Sequence, residues 1–164
     1  MKTISKLLKN GLIPLIPIFA WNYIFISKLP LAYQPQLFNQ DIPGFIILGE
    51  NLFRFIIFIF PVFFELSMAK PVQRKGLAIF IIGVVLYFVS WLILVYMPGS
   101  SWSHHVIGFS APATTPLIWL IGLSMMMERC YVFNCSKWHY IIPVILFSGF
   151  HVYHSIYVFS RMYV

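Results

Sequence analysis

FIILGENLFRFIIFIFPVFFELS, residues 45–67, is an apolar run long enough to cross a bilayer, yet it carries Glu50, Asn51 and Arg54 near its start and Glu65 near its end. A membrane-crossing helix needs about 20 mostly apolar residues. A charged side chain near the bilayer centre costs about 2.5–3.5 kcal/mol on insertion scales. The whole chain of 164 residues has only 11 Lys+Arg and 4 Asp+Glu. Two of those charges stand four apart inside this run, so they ask for a physical reason.

The surrounding sequence settles the class. The chain is 60% hydrophobic and 9% charged, whereas a soluble domain is about a quarter charged. There is too little polar surface to cover a water-facing globule, so the lipid bilayer is the expected solvent and first partner. The reading is an all-α, polytopic membrane helix bundle, a single integral membrane domain over residues 1–164. A net charge of +7 is no nucleic-acid footprint here, because the basic residues lie in short clusters between apolar runs.

Five segments qualify as spans: residues 11–27, 45–67, 77–97, 106–127 and 140–160. Lys2, Lys6 and Lys9 followed by apolar residues imitate a signal peptide, but no small-x-small site follows, so an uncleaved first span is expected. With the N-terminus in the cytoplasm, the inside receives Lys2, Lys6, Lys9, Lys70, Arg74, Lys75, Arg129 and Lys137. The outside receives only Lys28 and Arg161. By the positive-inside rule this orients the N-terminus inside and the C-terminus outside, in a bacterial-type cytoplasmic membrane. Cys130 and Cys135 then fall on the reducing side, where free thiols are expected.

The fourth segment, VIGFSAPATTPLIWLIGLSMMM (residues 106–127), contains Pro112 and Pro116. Thr115 before Pro116 is a suitable helix start. Residues 116–127 reach about 18 Å as a helix, short of a core about 30 Å thick. A proline-broken span is therefore expected, with residues 105–114 irregular; the alternative is one kinked helix.

Helical geometry places Glu50 and Arg54 on one face with Asn51 beside them, and Pro61 and Glu65 near the same stripe. The last span carries SGFHVYHS, residues 148–155, in which His151 and His154 share a face with Ser148 and Ser155. Both sets lie about five to nine residues below the outer end of their spans. The second and fifth spans are thus expected to be neighbours, enclosing an outward-facing buried polar pocket. Its ligand-binding candidates are Glu50, Asn51, Arg54, His151 and His154, with His104 or His105 as a lid. Charged pairs in bundles also serve as glue between helices, which is the plain structural alternative.

Three functional classes fit this pattern. One is a protein that binds a small polar or anionic ligand, in a transport-related role; Arg54, the histidines and the helix start at Pro116 would favour an anion. A second is an integral membrane enzyme using His151, His154 and Glu50 as metal ligands or acid–base groups. A third is an accessory subunit docking a larger membrane protein. No cofactor is specified. Bis-histidine haem ligation fits poorly with both histidines on one helix. In ERCYVFNCSKWH (residues 128–139), the donors Cys130, Cys135 and His139 stop at three, one short of a structural zinc set. GFSAP (residues 108–112), with a histidine on the last span, loosely resembles the serine–histidine pair of rhomboid proteases, but those have at least six spans and their other motif elements are missing. No phosphate loop, dinucleotide fingerprint, HExxH or GxSxG occurs.

Overall fold

The structure is a computed structural model that describes residues 9–132 and 135–163. Lys2 and Lys6 of the basic N-terminal cluster lie outside the described residues. Helix α1, Ile16–Phe25, is extended at both ends by tighter turns, Ile13–Leu15 and Ile26–Lys28. Pro14 and Pro17 sit within the first positions of their helical pieces, where a missing N–H costs nothing. After a turn at Leu31–Tyr33, the four-residue α2, Pro35–Phe38, starts on a proline. Asp41, at φ 54°, reverses the chain in the left-handed region that aspartate tolerates. Helix α3, Gly44–Ile59, follows and runs through a turn at Phe60–Phe63 into strand β1, Phe64–Leu66.

Helix α4, Pro71–Tyr96, begins where the Gln73 side chain accepts from the Lys70 N–H at 2.9 Å, and it stops before Pro98. Helix α5, Val106–Thr114, leads to α6, Pro116–Met126, then strand β2, Met127–Cys130, and helix α7, Trp138–Tyr163. Among the described residues, four helical stretches are long and apolar enough to cross a membrane: Gly44–Phe63, Pro71–Tyr96, Val106–Met126 and Trp138–Tyr163. The apolar stretch Ile13–Lys28 is shorter. These helices are compatible with an integral membrane location and bear out the helical class.

Three features differ from the sequence reading. First, residues 106–114 are regular helix. Thr115 between α5 and α6 has helical dihedrals (φ −62°, ψ −29°), and its N–H bonds to the Ala111 carbonyl at 2.9 Å. Pro112 inside α5 and Pro116 at the start of α6 each lack a donor, so the chain stays helical while omitting the bonds those two positions would make. Second, β1 and β2 form a small antiparallel pair, with Phe64 opposite Cys130 and Glu65 opposite Arg129. Asn10 bridges to Glu65, so the start of the chain joins the same end. Third, Cys130 and Cys135 are joined in a disulfide, so the expectation of free thiols is corrected. Their Cα atoms lie 6.0 Å apart, within disulfide reach. A separation of five residues brings the two sulfurs within bonding distance, which an argument from compartment alone does not address.

The tightest packing joins α4 to α6. A Cβ on Gly122 would lie 2.4 Å from the Phe80 nitrogen, and one on Gly83 would lie 2.5 Å from the Trp119 nitrogen. Small residues here let two backbones touch, as helix pairs in lipid favour. Leu120, Leu123 and Met126 fill the core beneath with Leu15, Ile57 and Tyr140. Helix α7 packs against both α3 and α5. Lys9, Lys70, Arg74, Lys75, Arg129 and Lys137 all belong to the end that carries the strands, while Lys28, Asp41 and Arg161 belong to the other.

Candidate functional site

The contact between α3 and α7 is built around one carboxylate. Gly49 leaves room for the Phe150 ring, which a Cβ would meet at 2.6 Å. This lets α7 approach α3 one residue before Glu50. Glu50 is 2% exposed. Its Oε1 accepts from the Arg54 guanidinium one turn along α3 and lies 3.0 Å from His151 Nδ1. Its Oε2 lies 2.6 Å from His154 Nδ1. Arg54 Nη1 also donates to Asn51 Oδ1 at 3.1 Å. Both carboxyl oxygens are thus occupied, which a polar group this deep requires.

His154 is held from its far side as well. Its Nε2 lies 2.9 Å from the Phe38 carbonyl oxygen, and the Phe38 ring lies 4.2 Å from the imidazole. The segment carrying that carbonyl is clamped by Arg161, which donates to the carbonyls of Leu37 and Gln40. The guanidinium thereby satisfies the carbonyls at the end of the short helix α2. Histidine ring and loop backbone are therefore fixed together.

Beside this cluster lies a cavity of about 380 Å³. Arg54, His151 and Ser155 form its polar wall with Asn22 from α1. The rest is mainly aromatic: Trp21, Tyr33, Phe58, Tyr87, Trp91 and Trp119. Tyr87 donates to Asn22 Oδ1 at 2.7 Å, tying α1 to α4 across the cavity. Tyr33 donates to the Phe109 carbonyl. The indole N–H groups of Trp21, Trp91 and Trp119 and the Ser155 hydroxyl are buried without a hydrogen-bond partner among the described residues.

Glu50, Asn51, Arg54, His151 and His154 are therefore brought together, with Glu50 and His154 behind the cavity wall and Asn51 on the exposed side. His104 and His105 do not join them. His104 bonds to the Ser100 carbonyl at 3.2 Å and packs edge-on against Tyr163, beside a second cavity. His105 caps α5 by accepting from Ile107 N–H. Ser110 of the GFSAP stretch bonds back to the Val106 carbonyl at 2.7 Å, its hydroxyl committed to its own helix.

Among the described residues, no group of three or more His, Cys, Asp or Glu side chains is placed to hold a metal ion. His154 has neither ring nitrogen free for one. Cys130 and Cys135 offer no thiolates while bonded to each other, and His139 turns to Ser136.

Sequence reasoning missed the Phe38 carbonyl, the Arg161 clamp and the Asn22–Tyr87 bridge. Asn22, a lone amide in the first apolar run, was the one available signal for the last of these. Comparison of the chain with protein families, with curated proteins and with solved structures finds no match.

Proposed function

We propose that this is a five-span, single-domain integral membrane protein whose outward-facing polar pocket binds a small polar or anionic ligand, in a transport-related role. Ile13–Lys28 is the first span, and Pro112 and Pro116 weaken the fourth at cavity level. The observation that carries the binding reading is the placement of Arg54. Its guanidinium lines the cavity while its counter-charge, Glu50, is divided between it and two histidines. The aromatic walls favour a ligand with a compact apolar body behind its polar head.

Benzoate matches these requirements as a probe. Calorimetry on protein in lipid nanodiscs should detect its binding. Arg54→Gln should weaken it at least about tenfold, the scale of one charge-assisted hydrogen bond. Equal binding by that variant would sink the reading.

For orientation we favour the N-terminus in the cytoplasm and the C-terminus outside, in a bacterial-type cytoplasmic membrane. Support comes from the basic residues gathered at the strand end. The disulfide at that same end argues the other way, since disulfides persist in oxidising compartments. Reporter fusions after residue 75 should read cytoplasmic and fusions after residue 103 external. The reverse pattern would put the disulfide outside and turn the cavity toward the cytoplasm.

A further inference from the structure

We infer that Glu50 and His154 hold one shared proton, and that the cavity takes up an anion and a proton together. The coupling rests on the ligand reading above; the shared proton does not. The argument begins with the two partners of one imidazole. A backbone carbonyl can only accept, so His154 Nε2 must carry the hydrogen that points at Phe38 O. In a neutral imidazole the other nitrogen is then a bare acceptor. That nitrogen, Nδ1, lies 2.6 Å from Glu50 Oε2. An ionised carboxylate there would set two lone pairs against each other at hydrogen-bond distance. Rotating the ring by half a turn would put C–H groups where both nitrogens now bond.

Two arrangements remain, and they contain the same number of protons. Either a carboxylic acid at Glu50 donates to neutral His154, or a His154 imidazolium donates to the Glu50 carboxylate. With Arg54 charged and His151 neutral, both carry a net charge of +1. His151 fits as the neutral member, because its Nδ1–H can donate to Oε1 and leave Nε2 as an acceptor. The other groups facing this cluster do not neutralise it. Arg161 on α7 is a further cation. Tyr87 of α4 and Tyr33 of the Leu31–Tyr33 turn donate their hydroxyls elsewhere. The loop contributes the Phe38 carbonyl alone.

A buried net charge of +1 beside a cavity is a seat for a monovalent anion. Removing the shared proton would leave the cluster neutral and restore the lone-pair clash. Anion and proton therefore favour each other, and linkage requires the effect to be reciprocal. Binding of a carboxylate such as benzoate should then hold the proton on the cluster to higher pH. Above the ligand-free titration, each pH unit should weaken benzoate about tenfold, with one proton taken up per benzoate bound.

Two measurements test this. Nitrogen-15 NMR of histidine-labelled, ligand-free protein in nanodiscs reads the proton directly. His154, assigned by its loss in His154→Gln, should show a protonated Nε2 and an Nδ1 that shares a proton. A bare, unshared Nδ1 would overturn the inference, whatever benzoate does. Calorimetry of benzoate binding in buffers of different ionisation enthalpy then counts protons between about pH 5 and about pH 9. Uptake approaching one proton across that range supports the coupling, and its absence in His154→Gln assigns it to this pair. Benzoate binding without uptake at a pH where the ligand-free protein has lost the shared proton from its NMR signal would overturn it. A shared proton in a protein that binds no benzoate would refute the ligand reading and the coupling, while the proton assignment stands on the NMR.

Discussion

Ion pairs occur at both ends of these helices, but they are built differently. At the strand end, Lys9 and Glu65 lie 3.7 Å apart and Lys70 and Glu128 3.0 Å apart, all with substantial exposure. Each is a simple pair of flexible side chains. At the other end a single carboxylate, almost fully buried, takes its partners from α3 and α7, and one of those partners is fixed to the loop by a backbone carbonyl. Exposed pairs pay side-chain entropy and are screened, so they contribute little. A buried carboxylate depends on all its partners at once, since any one left alone is a charge or donor without compensation. The first arrangement is replaceable piece by piece; the second is not.

The sharpest way to break that contrast is at Glu50. Glu50→Leu should destabilise the fold by about 3–5 kcal/mol, because it strips Arg54, His151 and His154 of their common partner at once. Arg54→Gln should cost less, because Arg54 is 40% exposed in its side chain and its loss leaves both histidines on Glu50. The double variant should lie well below the sum of the two, which thermal melts of all four proteins would measure. Strict additivity would mean that the two side chains do not interact.

Next comes His154. His154→Ala should cost about 2–3 kcal/mol, since it orphans Glu50 Oε2 and the Phe38 carbonyl together. His154→Gln, which can donate to that carbonyl, should recover part of this. If alanine and glutamine melt alike, the Phe38 contact contributes nothing and the ring serves only to fill space.

Helix packing supplies the intermediate case, with no charge involved. Gly122→Ala and Gly83→Ala push a methyl group into the backbone of the facing helix. Each should cost about 1–3 kcal/mol. Gly44→Ala, at a position with open space, should be close to neutral. A Gly122 variant as stable as the Gly44 variant would show that α4 and α6 can separate at no cost.

The polar cluster was legible in sequence because helix geometry is rigid. Spacings of three and four put Glu50 with Arg54 and His151 with His154 on their faces, and counting from the helix ends put both at one depth. Depth alone also admitted His104 and His105, but lateral position is set by loop contacts, here to Ser100 and Tyr163. The Phe38 carbonyl left no trace, because a backbone acceptor has no residue identity to read. The cavity was equally hidden, its walls coming from separate helices whose aromatic residues look like ordinary lipid-facing or core positions. FEL, residues 64–66, has neither the length nor the alternation that marks a strand, so β1 became visible only against β2.

The smallest effect should come from the strand end, and it carries a pH signature. Glu128 accepts from Lys70 Nζ at 3.0 Å. Hydrogen bonds from Ser67 and then Lys70 hold its carboxyl below the usual carboxylate range. A carboxyl with a lowered value in the folded state contributes stability that is fully present above its unfolded value. The contribution disappears as pH falls through the lower folded value. Lys70→Ala and Glu128→Ala should therefore shift the melting temperature less than any variant above, and only at neutral pH. The shift should shrink as carboxylates become protonated, and added salt should shrink it too, because the pair is open to solvent. Melts at low and high salt, at neutral and acidic pH, separate these terms. A salt-insensitive loss as large as that of Glu50→Leu would mean that this pair is buried by a contact absent from the isolated chain, and the distinction between the two ends would collapse.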